Sequence, residues 1–128
     1  MKQVIKTDNA PAPLGVYSQA FVVDCNKLVF LCGQIPVDPA TNEVVQGDIK
    51  VQTKQALRNM RELLKASGSG MEHLVKVTVF LKDFNEFSQF NEVYKEYFTE
   101  DPPPRTAVEV SGLPKGVGLE IEGIAIVP

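Results

Sequence analysis

The sequence has few of the residues that give small proteins covalent or metal cross-links. It contains no tryptophan, one histidine (His73) and two cysteines, Cys25 and Cys32. The cysteines do not form a CxxC pair, and no cluster of His and Cys has the spacing of zinc ligands. A disulfide framework and a structural zinc site are therefore excluded. We expect reduced thiols, no metal and no cofactor.

Long apolar runs and clusters of positive charge are also missing. No stretch approaches the roughly 18 apolar residues that a membrane span requires, and residues 1–10 lack the apolar core of a signal peptide. The net charge is −3, and no run of Lys and Arg provides the basic patch expected of a nucleic-acid-binding protein. We expect a cytoplasmic protein without a membrane or nucleic-acid partner, and mitochondrial import through an uncleaved signal stays open.

The patterning that is present predicts a single α+β domain over residues 1–128. Strands are predicted at 1–6, 17–23, 28–34, 75–81, 105–110 and 119–127, with a long loop at 36–47. One helix follows the N-cap candidate Asp48, and another follows Asp83 or Asn85 with an aromatic stripe (Phe87, Phe90, Tyr94, Tyr97 and Phe98). The order β-β-β-α-β-α-β-β predicts a six-stranded sheet with both helices on one face.

The third predicted strand is apolar on both faces. Leu28 and Phe30 point to one side, and Val29 and Leu31 point to the other. Such a strand is expected to be buried on both sides, although the two helices can cover only one. We therefore expect the second face to meet another subunit. The alternative is a partly closed sheet that buries its own inner face.

Arg105 is the first candidate for a functional role, because it begins a strand directly after three prolines (102–104). Proline restricts the backbone dihedral angles, so the backbone that leads into Arg105 has few conformations available. A planar guanidinium pairs with a carboxylate through two parallel hydrogen bonds. The alternative is an arginine that extends into solvent or pairs with a neighbouring acid.

Glu120 is the second candidate. By alternation it shares one strand face with Glu122, Ile124 and Ile126. A carboxylate among apolar residues can serve as a proton shuttle, and the alternative is an exposed face whose acids are simply solvated.

Four further positions are weaker candidates. Tyr17 follows a loop, and Gly33 ends a strand where backbone N–H groups can approach a ligand. Cys32 has no neighbouring histidine to act as a base, so it is interpreted as a small buried hydrophobic residue rather than a nucleophile. Asn91 borders the aromatic stripe of the second helix.

Several short motifs together resemble the Rid (YjgF/RidA) family. They are Gly33-Gln34-Ile35-Pro36, Lys76-Val77-Thr78-Val79-Phe80-Leu81, Phe90-Asn91-Glu92-Val93-Tyr94, Pro104-Arg105-Thr106, Leu113-Pro114-Lys115-Gly116 and Glu120-Ile121-Glu122. The resemblance covers essentially the whole chain. It implies a chorismate-mutase-like fold, a homotrimer with sites between subunits, and hydrolysis of enamine and imine acids such as 2-aminoacrylate and 2-iminobutyrate to 2-keto acids and ammonia.

The resemblance also implies roles for individual residues. Arg105 would bind the substrate carboxylate and Glu120 would direct the attacking water. Tyr17, the Gly33 backbone and Asn91 match other pocket positions of the family. Two positions depart from its commoner pattern: Cys32 stands where serine is frequent, and Ala107 stands where cysteine is frequent. These departures bear on substrate preference and rate.

Two other functions stay open. The first is a non-catalytic protein that binds a small carboxylate and regulates another process. The second is a translation inhibitor or ribonuclease, which the acidic charge balance disfavours.

Overall fold

The computed structural model describes residues 2–128, and Met1 of the first predicted strand lies outside this range. The elements follow in chain order: β1 (Lys2–Ile5), β2 (Ala20–Val23), β3 (Leu28–Phe30), β4 (Val37–Asp38), β5 (Glu43–Val44), α1 (Ile49–Ala66), β6 (Leu74–Leu81), α2 (Phe87–Tyr94), β7 (Arg105–Glu109) and β8 (Leu119–Ile126). Short 3-10 turns at Met71–His73, Phe84–Glu86 and Pro114–Gly116 lie between them.

Helix α1 begins and ends where its sequence predicts. The Asp48 side chain accepts a hydrogen bond from the Val51 N–H at 3.1 Å, which satisfies one of the free donors of the first turn. Its buried face includes Ala56, Leu57, Met60 and Leu64, all 0% exposed. The chain turns away at Gly68, whose φ of +78° suits glycine.

Helix α2 is shorter than the aromatic stripe suggests. Asp83 caps the preceding 3-10 turn by accepting from the Asn85 N–H at 3.0 Å, so Asn85 is not a cap itself. The α-helix ends at Tyr94, and Phe98 packs against it from beyond the helix at a ring distance of 4.5 Å. No helix within residues 2–128 is long and apolar enough to cross a membrane.

The main sheet has the order β3-β8-β6-β7, with β6 and β7 parallel and the other pairs antiparallel. Residues alternate between its two faces. Val77 and Val79 of β6 and Leu119 and Ile121 of β8 are 0% exposed and pack in one cluster with α1 and α2. Both helices therefore lie on one face, as predicted, and the core lies between them and the sheet.

The prediction of a single six-stranded sheet is wrong for the described residues. The main sheet has four strands, while β1 and β2 pair only with each other, and β4 and β5 form a hairpin inside the predicted loop 36–47. Strands 17–23 and 28–34 are also shorter than predicted, since β2 begins at Ala20 and β3 ends at Phe30. Ser18 donates to the Pro102 carbonyl at 2.6 Å, and the Gln19 side chain donates to the loop carbonyls of Thr7, Ala10 and Pro11. Ser18 and Gln19 therefore stabilise loops and are not part of the strand.

The second face of the main sheet is open. On β3, Val29 and Leu31 pack against the core, whereas Phe30 is 70% exposed and Leu28 is 43% exposed. Phe30 pairs with Ile124, and Val108 of β7 is 40% exposed on the same side. The chain therefore does not bury this face itself, and the alternative of a sheet closed on its own inner face is wrong.

We expect α1 packing to dominate the stability of the monomer. Leu57→Ala should lower the free energy of unfolding by about 2–5 kcal/mol, because it opens a cavity in a closed core. Leu63→Ala on the same helix is the matched control, since Leu63 is 37% exposed and should cost much less. Chemical denaturation of both variants measures the difference, and equal losses would contradict the packing described.

Candidate functional site

The proline segment fixes the start of β7 through its carbonyl groups. Proline has no N–H, but the Pro104 carbonyl accepts from the Val77 N–H at 3.0 Å, and the Pro102 carbonyl accepts from the Ser18 hydroxyl. Pro103 between them is buried. Arg105 therefore leaves a backbone that is attached to β6 on one side and to the loop before β2 on the other.

The Arg105 side chain lies on the helix face of the sheet, among aromatic rings. Its Nη1 donates to Asn91 Oδ1 of α2 at 2.8 Å. The guanidinium carbon lies 4.8 Å from the ring centre of Tyr94, 5.3 Å from Phe87, 5.7 Å from Tyr17 and 5.9 Å from Phe90. These distances are in the range of cation–π contacts, so the rings stabilise the charge and exclude water from it.

No carboxylate pairs with Arg105 anywhere in residues 2–128, so the alternative of a neighbouring acid is wrong. Its Nε atom is buried and has no hydrogen-bond partner. Burial lowers the pKa of Arg105, but a guanidinium stays charged in proteins. A half-buried cation without an internal anion is costly to the fold, and an incoming anion would relieve that cost.

Tyr17 lies beside this guanidinium, and Ala107 lies two residues along the same strand. The Tyr17 hydroxyl accepts from the Leu14 N–H at 3.0 Å, which fixes the ring against Arg105. Ala107 lies on the same side of β7 as Arg105 and packs against the core. Tyr17, Asn91, Arg105 and Ala107 form what we call the arginine cluster.

The remaining predicted residues meet elsewhere. Gly33 lies so close to Glu120 that a Cβ atom on residue 33 would overlap the Glu120 carboxylate. The neighbouring Gln34 exchanges backbone hydrogen bonds with Ile121 at 2.7 and 3.0 Å, which keeps the two segments together. The expectation that Cys32 is buried is wrong, because Cys32 is exposed and its Sγ accepts from the Gln34 amide at 3.2 Å. Cys32, Gly33 and Glu120 form the glutamate cluster.

The Glu120 carboxylate has neither a hydrogen bond nor an ion pair within residues 2–128. It pairs with Phe80 on the open face of the sheet, whereas Arg105 pairs with the core residue Val77 on the helix face. The sheet therefore separates the two clusters within one chain. The sequence identified the members of both clusters but not which face of the sheet carries each cluster.

The rings around Arg105 were missed as site residues. The sequence indicates Phe87, Phe90 and Tyr94 only as an apolar helix stripe, which is the ordinary pattern of a core-facing helix. One signal was available: Asn91 interrupts this aromatic stretch, and a polar side chain at the edge of a buried stripe needs a partner. Arg105 is that partner.

Comparison with known proteins identifies the family. Residues 7–127 match the family model described as Endoribonuclease L-PSP. A RutC family protein of Pyrococcus horikoshii is 55% identical over 98% of this chain and 98% of its own length. The chain belongs to the YjgF/Rid family.

Other Rid relatives carry more specific names. The human protein named 2-iminobutanoate/2-iminopropanoate deaminase is 45% identical over 98% of this chain and 90% of its own length. Among solved structures, E. coli TdcF with bound serine is 42% identical, with a TM-score of 0.74 over 97% of this chain and 98% of that chain. These matches support the two-helix fold with a mixed sheet.

A carboxylate introduced beside Arg105 should compete with an anionic ligand for the guanidinium. Asn91→Asp would place a carboxylate beside the Arg105 guanidinium with almost no change in shape. We expect affinity for a small 2-keto acid such as pyruvate to fall about tenfold or more, because the internal ion pair competes with the ligand. Isothermal titration calorimetry measures this loss.

The control for that experiment is Asn85→Asp, which makes the same chemical change at an exposed position outside the cluster. It should bind pyruvate like the wild type. Unchanged binding by Asn91→Asp would contradict the prediction that Arg105 binds a small carboxylate.

Proposed function

We propose that this protein hydrolyses reactive 2-enamine and 2-imine acids, such as 2-aminoacrylate and 2-iminobutyrate, to 2-keto acids and ammonia. The observation that carries the proposal is the Arg105 guanidinium, held by Asn91 among aromatic rings with no carboxylate partner in residues 2–128. This arrangement suits the carboxylate of a small substrate, which can accept two parallel hydrogen bonds.

The relatives support the choice of reaction. The human relative is named a 2-iminobutanoate/2-iminopropanoate deaminase, and the TdcF structure contains serine, which is a small molecule with a carboxylate and an adjacent nitrogen. A 2-imino acid has the same two groups in the same relation. The nearer Pyrococcus relative carries only a family name, so the reaction is our proposal for this chain.

The chemistry requires little from the protein. An enamine acid first becomes the imine by taking up a proton at its β-carbon and losing one from nitrogen. The imine carbon is electrophilic, so water can add to it, and the nitrogen takes up a proton. The C–N bond of the resulting carbinolamine then breaks to release ammonia and leave a C=O group. Arg105 would orient the substrate by its carboxylate, and Glu120 would accept a proton from water and return it to nitrogen.

The separation of the two clusters adds a requirement. A substrate held by Arg105 cannot be reached by Glu120 of the same chain, because the sheet lies between them. Glu120 must therefore come from a neighbouring chain, and the resemblance to the Rid family implies three chains. We propose a homotrimer in which the open face of one chain carries Glu120 to the arginine cluster of its neighbour. Phe30 is exposed on that face, and an exposed apolar side chain of this size is expected to be buried against a second copy of the chain.

Variants of the two charged residues test the reaction. In a coupled assay, a pyridoxal-phosphate dehydratase supplies the imine and release of 2-keto acid is followed. Arg105→Ala should lose most activity without unfolding, and Glu120→Gln should be about 10²–10⁴-fold slower. Glu122→Gln is the matched control, two residues along the same strand face, and should retain activity. Wild-type rates in Arg105→Ala would contradict the proposal.

Mixing the inactive variants tests the shared site. In a one-to-one mixture of Arg105→Ala and Glu120→Gln chains, roughly one neighbouring pair in four combines an intact arginine with an intact glutamate. The mixture should therefore regain about a quarter of wild-type activity after subunit exchange. No recovery from a mixture whose subunits have exchanged would mean that the site does not combine chains in this way.

A charge on the open face tests the assembly. Phe30→Lys should dissociate the oligomer and lower activity with it, because an ammonium group buried in an apolar interface has no partner. Leu63→Lys is the control, since Leu63 is exposed on α1 and away from the open face. Analytical ultracentrifugation measures the mass, and a Phe30→Lys protein that stays trimeric would refute this interface.

The same variants and measurements distinguish two other functions. A carboxylate-binding regulator would bind pyruvate in an Arg105-dependent way but release no ammonia from imines. An RNA-directed activity has one observation in its favour, the description of the matching family model as an endoribonuclease. The net charge of −3 argues against it, and binding to RNA that falls steeply with salt would restore it.

A further inference from the structure

Two buried polar atoms in the described residues lack a hydrogen-bond partner, and both belong to neighbours at the arginine cluster. They are the Tyr94 hydroxyl and Arg105 Nε. The Tyr94 side chain is 0% exposed. Buried polar groups in native proteins are nearly always satisfied, so two unpaired groups at one place call for a common explanation.

Tyr94 is packed between apolar rings, and the polar group beside it is the Arg105 guanidinium. Its ring packs against Phe90 at 5.4 Å and Phe98 at 4.5 Å, and these rings offer no hydrogen-bonding group. The Arg105 guanidinium carbon lies 4.8 Å from the Tyr94 ring centre, the shortest of its four ring distances. Burial raises the pKa of Tyr94, so the phenol stays protonated and can both donate and accept.

The N–H donors of the Arg105 guanidinium differ in whether a ligand from solvent can reach them. Nη1 already donates to Asn91, and Nε is enclosed by protein. A carboxylate arriving from solvent must therefore use the Nη1 and Nη2 edge, and Nε–H needs an acceptor from within. Since Nε–H is a donor without an acceptor and the Tyr94 oxygen carries free lone pairs, the two groups are complementary.

We propose that Tyr94 is a positioning residue for Arg105. One enclosed water accepts a hydrogen bond from Nε–H and donates one to the Tyr94 hydroxyl, and this link fixes the plane of the guanidinium that receives the ligand carboxylate. Asn91 holds the plane from the other side. Two-point carboxylate binding depends on that plane. The kinetic part of this inference rests on the proposed deaminase function, but the positioning itself does not.

The test compares Tyr94→Phe with Tyr97→Phe. Tyr97 is the matched control, because its ring also lies beside an arginine, with the Arg61 guanidinium carbon at 5.7 Å, but outside the cluster. Each variant is labelled with ¹⁵N, and the Arg105 Nε–H signal is assigned by its loss in Arg105→Lys. We expect slow exchange of this proton in the wild type and exchange about tenfold faster in Tyr94→Phe, the factor that one hydrogen bond of ordinary strength supports.

The second measurement is binding and turnover. Tyr94→Phe should bind pyruvate about fivefold to tenfold more weakly and show a similar rise in KM for the imine with little change in kcat, because the orientation of the carboxylate affects ground state and transition state alike. Tyr97→Phe should leave the Arg105 signal, the pyruvate affinity and KM unchanged. A merely structural phenol would leave all three unchanged in Tyr94→Phe as well.

The possible outcomes separate this inference from the proposed function. An unchanged Arg105 signal and unchanged pyruvate affinity in Tyr94→Phe overturn the positioning role. If Tyr94→Phe does not fold, wild-type exchange as fast as in free arginine overturns it instead, and strong protection supports it. If the wild type releases no ammonia but Tyr94→Phe alters the Arg105 signal and weakens pyruvate binding, the positioning role stands and the deaminase proposal fails.

Discussion

The arrangement of this protein depends on one cation that the fold encloses without neutralising. The Arg105 guanidinium is surrounded by four aromatic rings and bonded to one amide, and within residues 2–128 no carboxylate pairs with it. Leaving a charge in such surroundings costs free energy that an ion pair would recover. The rest of the structure positions this group.

Three parts of the chain converge on that group, and each uses a different physical means. The proline segment contributes a fixed backbone whose carbonyls are bonded to Ser18 and Val77. Helix α2 contributes one face of rings and the amide of Asn91, because residues three or four apart on a helix lie side by side. The loop before β2 contributes Tyr17, whose hydroxyl is bonded to its own loop.

Local sequence patterns predicted the helices and strands. They could not predict which of these elements contact one another when they are distant in the sequence. The Asp48 cap and the 3.6-residue stripe of α1 are fixed by interactions within one helix, so the sequence predicted both. Alternation identifies a strand but does not name its partner, and for that reason β1 and β2 were placed in the main sheet. The proline run and the strand alternation made Arg105 and Glu120 candidates, and the resemblance to a family supplied their roles, whereas the rings around Arg105 follow from the packing of α2.

The alternation that builds the sheet also divides the site. β7 directs Arg105 and Ala107 to the helix face, and β8 directs Glu120 to the open face, because Glu120 pairs with Phe80 while Arg105 pairs with Val77. No rotamer change can move a carboxylate through a sheet. Phe30 is exposed on the face that carries Glu120. Under the proposed assembly, burial of the apolar face and completion of the site are one event, so a chain that loses its neighbours loses its catalytic carboxylate with them.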